Sequence, residues 1–159
     1  GNLASPITDH QIQLHADYFL PTNAGMIPTG EIRSVTDTPL DFTRPQLIGK
    51  GIDTDYEPLQ LAGGYDHCWV LRDHHDDNIE PHSAVVLHHS GSGRTLEVLT
   101  NQPGMQFYTG NFLSDPFQHR SGLCLETEGF PDAPNHPNFP SAILEPGETY
   151  RHSLIWRFA

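Results

Sequence analysis

The sequence predicts an all-β fold, an antiparallel sandwich, on three observations. Fourteen glycines and fourteen prolines in 159 residues put a breaker at about one position in six, which excludes a helical bundle or coiled coil. The stretches between breakers are mostly five to sixteen residues long, and many alternate apolar and polar residues with period two. Recognisable turn chemistry separates them: Pro28-Thr29-Gly30, Gly63-Gly64, Ser90-Gly91-Ser92-Gly93, Pro103-Gly104 and Pro146-Gly147.

Taken in order, residues 11–16 place Ile12, Leu14 and Ala16 on one face and Gln11, Gln13 and His15 on the other, the pattern of a half-buried strand. Residues 31–35, 68–72, 84–89, 95–100, 106–109 and 123–127 are short runs rich in β-branched, Leu or aromatic residues, each read as a strand. In residues 150–158, Tyr150, His152, Leu154, Trp156 and Phe158 line one face against Arg151, Ser153, Ile155 and Arg157. Two regions fit no meander. Residues 36–55 have few periodic apolar positions and are expected to form a long surface excursion. Residues 129–148 carry five prolines, so they are expected to be stiff and extended rather than a central strand.

Length and composition allow one domain with a real core, since hydrophobic residues make up 36% of the chain. No apolar run approaches the roughly 18 residues that cross a bilayer, and no basic-plus-apolar leader is read at the start. Twenty acids against eight bases give a formal charge of −12, with the single Lys50 and seven arginines scattered. Nucleic acid and anionic membrane surfaces are therefore poor partners. Cys68 and Cys124 make neither a disulfide framework nor a thiolate metal cluster, which fits a reducing cytoplasm.

Eleven histidines raise the question of a metal. No His-x-His occurs, and the doublets His74-His75 and His88-His89 send their rings to opposite faces of a strand. Each doublet then offers at most one ligand to a site, and the histidines are expected to be exposed or hydrogen-bonded. The Ser90–Gly93 run lacks the frame of a nucleophile elbow and reads as a hairpin turn. The acids are more informative. Glu126 and Glu128 end a strand on one face, where like charges raise each other's pKa. Asp66 and His67 follow an aromatic just before an apolar strand, and Gln102 to Tyr108 adds amides and aromatics. Carboxylates, amides and aromatic faces together suit the gripping of a neutral sugar.

Those clusters resemble the C-terminal half of the aldose 1-epimerase (galactose mutarotase) family. The resemblance rests on His15 to Pro21, Met26 to Ile32, Thr38 to Phe42 and Gly63 to His67. It continues through Ser92 to Val98, Asn101 to Leu113, Leu123 to Pro140 and Leu144 to Tyr150, in order and over nearly the whole chain. It implies that residues 1–159 are the C-terminal portion of a single mutarotase-type supersandwich. It also implies interconversion of the α and β anomers of free aldohexoses such as galactose and glucose, with no metal or organic cofactor.

By position, Glu126 matches the family's general base, while Asp66 and Gln106 match sugar-binding positions. Glu128 stands where the family usually has Gln, and no role is assigned to it. The family's acid, a His in a His-x-Tyr-Phe-Asn motif, is expected upstream of Gly1, as are a second His and a sugar-binding Arg. The chain is then either a fragment or a subunit completed by a separate chain carrying the N-terminal half, and taken alone it is expected to expose apolar sandwich surface. A hexose-6-phosphate 1-epimerase and a non-catalytic carbohydrate-binding module remain as alternatives. A glycosidase using Glu126 and Glu128 is weak, because same-strand, same-face acids flank no scissile bond.

Overall fold

The structure is a computed structural model that describes residues 5–72 and 80–159, so the His74-His75 doublet and the Gly1–Leu3 start lie outside the described residues. Among the described residues, ten strands run in chain order: β1 Gln11–Leu14, β2 Ala16–Leu20, β3 Arg33–Ser34, β4 Gln46–Leu47, β5 Asp66–Leu71, β6 His82–His89, β7 Arg94–Thr100, β8 Gly104–Tyr108, β9 Cys124–Glu128 and β10 Leu154–Phe158. They form two five-stranded antiparallel sheets, ordered β10-β7-β6-β1-β4 and β3-β2-β5-β8-β9. The predicted all-β sandwich is what is found. Among the described residues, no helix is long and apolar enough to cross a membrane.

The core lies between the inward faces of the two sheets. Ile12, Leu14, Ala84, Val85 and Val98 come from one; Phe19, Trp69, Leu71, Met105 and Phe107 come from the other. Tyr65, Trp69, Phe107 and Phe42 form an aromatic nest, with Tyr65 stacked on Phe107 at 5.6 Å between ring centroids. Such pairs stabilise beyond the area they bury.

Four local features correct the sequence reading or add to it. First, residues 11–16 are not one strand: the predicted faces hold, but the chain breaks at His15 and passes from one sheet to the other. The junction is fixed by His15 N donating to the Ala84 carbonyl at 2.9 Å, and by its ring nitrogen Nδ1 lying 2.7 Å from the Ser83 carbonyl.

Second, residues 36–55 run mostly over the surface, as expected, but the excursion is anchored in the core. Leu40, Phe42, Ile48 and Ile52 are buried in the core without any period, because each enters from a turn rather than from a strand face. The Tyr65 hydroxyl donates to the Pro39 carbonyl at 3.0 Å and the Trp69 indole to that of Leu40 at 3.2 Å, which pins the segment down.

Third, a six-residue helix, α1 (Glu57–Ala62), precedes β5. Pro58 sits in its first turn and Gly63 ends it in the left-handed region, φ 66°. Fourth, residues 129–148 form no strand, as expected, but they are folded rather than extended. A 3₁₀ turn, Ala133–Asn135, brings Phe130, Ala133 and Phe139 down onto Leu20 and Cys68, a second apolar cluster on the outer face of the β5 sheet.

The last segment is a strand only over β10, and all five of its residues are exposed; Trp156 is 59% and Phe158 74% accessible. This is the open apolar sandwich surface that the sequence leads one to expect.

Candidate active site

The site is built by register. In the β5-β8-β9 ladder, Cys68 pairs with Gln106 and Gln106 with Glu126; Asp66 pairs with Tyr108 and Gly104 with Glu128. Side chains alternate across a strand, so Asp66, Cys68, Gln106, Glu126 and Glu128 share the outer face. Trp69, Met105, Phe107 and Thr127 fill the inner one. The sandwich core thus lies directly behind the polar cluster and holds its strands rigid.

The turn that delivers Asp66 is locked by residues of the β8 end. Asn111 Nδ2 donates to the carbonyls of Ala62 and Tyr65 at 2.9 and 3.0 Å, and Tyr65 N donates to Thr109 Oγ1 at 3.1 Å. Gly64, at φ 145°, lies so close to the Asn111 amide that a Cβ would collide with it. Gly104 plays a similar part across the sheet. A Cβ there would sit 2.8 Å from Cys68 Sγ and 3.1 Å from the Glu128 backbone carbonyl, so a larger residue would crowd the Cys68 side chain and the β9 backbone.

A cleft of about 290 Å³ opens over this face, walled by Asp66, His67, Cys68, Gln106, Glu126 and Glu128 and by Thr22, Met26, Pro28 and Pro131. The Thr22–Pro28 loop is held by a bridge between those two residues and by Asn23 Oδ1, which accepts from Gly25 N at 2.8 Å. The proline-rich segment braces the loop from outside, with Asn138 Nδ2 donating to the Gly30 carbonyl at 2.9 Å. A larger groove, about 930 Å³, lies between Asn101, Gln102, Pro103 and the 140–151 segment. It contains none of Asp66, Gln106 or Glu126, and its carboxylate, Glu148, already accepts from Glu145 N at 2.8 Å.

The groups in the cleft differ in environment. Gln106 Nε2 donates to Asp66 Oδ1 at 2.7 Å. Burial raises the Asp66 carboxyl above its usual range, and this hydrogen bond partly offsets the rise. Glu126 is exposed, and among the described residues no side chain donates to its carboxylate. Glu128 is half-buried, with Oε1 shielded and unpartnered among the described residues. Burial, reinforced by the charge of Glu126, pushes it up to about 7, against a smaller opposing contribution from the Cys68 thiol. Cys68 is itself driven well up by burial and then by Glu128. Cys124, exposed at the start of β9, is raised by desolvation and by Glu126 and Asp66. His67 packs edge-on to Phe19 and Trp69, and burial lowers it to about 4, so near neutral pH it is an uncharged imidazole.

The three residues singled out from sequence, Glu126, Asp66 and Gln106, therefore line one cleft. Sequence reasoning missed the Thr22–Pro28 wall and the two cysteines beside the carboxylates. The Met26-Ile27-Pro28 run marked the wall, but only the folded loop shows which side it faces.

The family model described as aldose 1-epimerase matches residues 2–157. The chain belongs to the aldose 1-epimerase family. It is 42% identical over its whole length to galactose mutarotase from Bos taurus and 41% identical to that from Homo sapiens, spanning 46% of each. It is 33% identical to aldose 1-epimerase from Escherichia coli K12, with 97% of the chain and 46% of that protein covered. A solved aldose epimerase homologue from C. elegans superposes with a TM-score of 0.82 at 25% identity, covering 97% of this chain and 46% of that one. A galactose 1-epimerase from Lactobacillus acidophilus gives 0.80, also at 25% identity, with 97% and 45% covered. The chain thus spans about half the length of the family members it matches.

Proposed function

We propose that this chain supplies the general base and part of the sugar-binding surface of an aldose 1-epimerase, and that residues 1–159 form the C-terminal portion of the domain. The substrates are free aldohexoses such as galactose and glucose. The observation that carries the reading is the joint placement of Asp66, Gln106 and an unencumbered Glu126 on one cleft wall.

In this reading Asp66 and Gln106, already joined by a hydrogen bond, grip vicinal ring hydroxyls, the carboxylate accepting and the amide donating. Glu126 removes the proton from the C1 hydroxyl while an acid protonates the ring oxygen. The C1–O5 bond breaks as the C1 carbonyl forms, the C1–C2 bond rotates, and the ring closes with the proton transfers reversed. General acid and base assistance is worth roughly 10²–10⁴-fold per group. The acid and further sugar contacts belong to the half of the family domain that this chain does not span, carried on the same polypeptide or on a separate one. Glu126 stands on β9, an outermost strand, so its far side is open to such a neighbour.

The test is polarimetry of freshly dissolved α-D-galactose with this chain joined to the N-terminal half of a family member, with galactose binding measured in parallel. Faster mutarotation, lost in Glu126→Gln while binding persists, supports the reading. Binding with no acceleration leaves a carbohydrate-binding module and removes the catalytic role.

A further inference from the structure

A second cluster of chemically capable side chains lies on the other sheet. β1 and β6 pair Ile12 with Leu87 and Gln11 with His88, so the next residues outward, His10 and His89, face each other. They have the parity of Ile12 and Leu87, which point inward, but stand beyond the core at the rim of the sandwich. Their rings stack at 4.5 Å with 22° between planes. Asp9, at the end of the 3₁₀ turn Ile7–Asp9, reaches both imidazoles. Its Oδ1 lies 2.8 Å from His10 Nδ1 and its Oδ2 3.2 Å from His89 Nε2.

The geometry points to a site for a divalent transition metal, best matched by Zn²⁺, held by Asp9, His10 and His89. One ligand atom from each residue lies within 4.8 Å of the others, close enough for one ion to gather all three. Two imidazoles and a carboxylate suit zinc, whereas calcium and magnesium favour all-oxygen sets. Binding through His89 Nε2 leaves its Nδ1 to donate to Ser92 Oγ, which lies 2.8 Å away, the outer partner that fixes the tautomer of a ligating histidine. Ser92 is held in turn by the β6–β7 turn, its N donating to the His89 carbonyl at 3.2 Å.

His10 and His89 stand next to the paired positions of β1 and β6 with Asp9 beside them, so binding an ion asks the stacked rings to turn until their nitrogens converge on it while the backbone stays in place. Arg94, the cross-strand partner of His89, is exposed, and solvent screens its charge. Three protein ligands leave room for water. The residues form no part of the sugar cleft, so the ion would act as a clasp between the Ile7–Asp9 turn and the end of β6, favouring the folded state that binds it.

The test is titration of the metal-free chain with ZnCl₂ by calorimetry, and with Cu²⁺ by ¹H–¹⁵N NMR. One ion is expected at this site, with Cu²⁺ broadening centred on the amides of His10, Gln11 and His89. Ser92→Ala should weaken zinc by roughly 10–100-fold, and His89→Ala or Asp9→Asn by more, all with dispersed spectra of a folded chain. The parallel variant His74→Ala/His75→Ala should keep the site. No zinc binding, undiminished affinity in both His89→Ala and Asp9→Asn, or broadening centred on residues 73–79 alone would overturn the proposal and leave a hydrogen-bonded Asp–His cluster.

Discussion

Gln106 and Asp66, on neighbouring strands, meet through a 2.7 Å hydrogen bond over the cleft floor, and the amide is the donor that keeps a half-buried carboxylate from rising further in pKa. In the proposed function this pair grips a diol, and each member depends on the other. Gln106→Ala should cost galactose affinity roughly 10–100-fold, the equivalent of a hydrogen bond to a charged group. It should also make Asp66 harder to ionise. Calorimetric titration at pH 5 and pH 8 checks both: the loss should be larger at the lower pH.

Glu126→Gln keeps the shape of the side chain and removes its basicity. Mutarotation by the completed domain should fall by about 10² or more while galactose binding changes little. Polarimetry and calorimetry on one preparation separate the two effects.

Glu128 sets a pH dependence of stability. Its carboxyl sits at about 7 in the folded chain against an ordinary value of 4.5, so the folded state holds the proton more tightly. Between those values the folded state binds more protons than the unfolded one, and stability falls as pH rises. The contribution is complete below about pH 4.5 and lost through about pH 7. Urea midpoints of the wild-type chain should therefore fall relative to Glu128→Gln from pH 5 to pH 8; parallel curves would place the titration elsewhere.

The cysteines report on the cleft. Cys124 is exposed but its thiol is raised by desolvation, Glu126 and Asp66, so Glu126→Gln should speed its alkylation by iodoacetamide several-fold. Cys68, buried beneath Glu128, should react only when the chain unfolds. Peptide mapping after timed alkylation distinguishes them.

Tyr65→Phe removes the hydroxyl that ties the core to Pro39 and leaves that carbonyl without its donor. A loss of about 1–2 kcal/mol in denaturant unfolding is expected, with the cleft intact.

The strands that build the cleft were legible because each combines a local pattern with a bounding turn. The runs at 68–72, 106–109 and 123–127 locate β5, β8 and β9 to within a few residues, and period-two spacing alone puts Glu126 and Glu128 on one face. What was not legible came from tertiary packing. Leu40, Phe42, Ile48 and Ile52 are buried singly from turns, so no period announces them. The break at His15 leaves the alternation of Ile12, Leu14 and Ala16 unbroken, because both sheets present an inner face to one core. The meeting of His10 with His89 needs the pairing of β1 with β6, which spans some eighty positions of sequence. The Thr22–Pro28 wall likewise acquires its facing only from the fold.

The back-to-back arrangement of aromatic nest and acidic cleft on strands β8 and β9 ties two fates together. Sliding either strand by one residue would turn Phe107 or Thr127 out to solvent and drive Gln106, Glu126 and Glu128 into hydrocarbon. The same oil-and-water partition that chooses the fold therefore also chooses which carboxylates line the cleft, and a misaligned chain would lose its core and its cleft together.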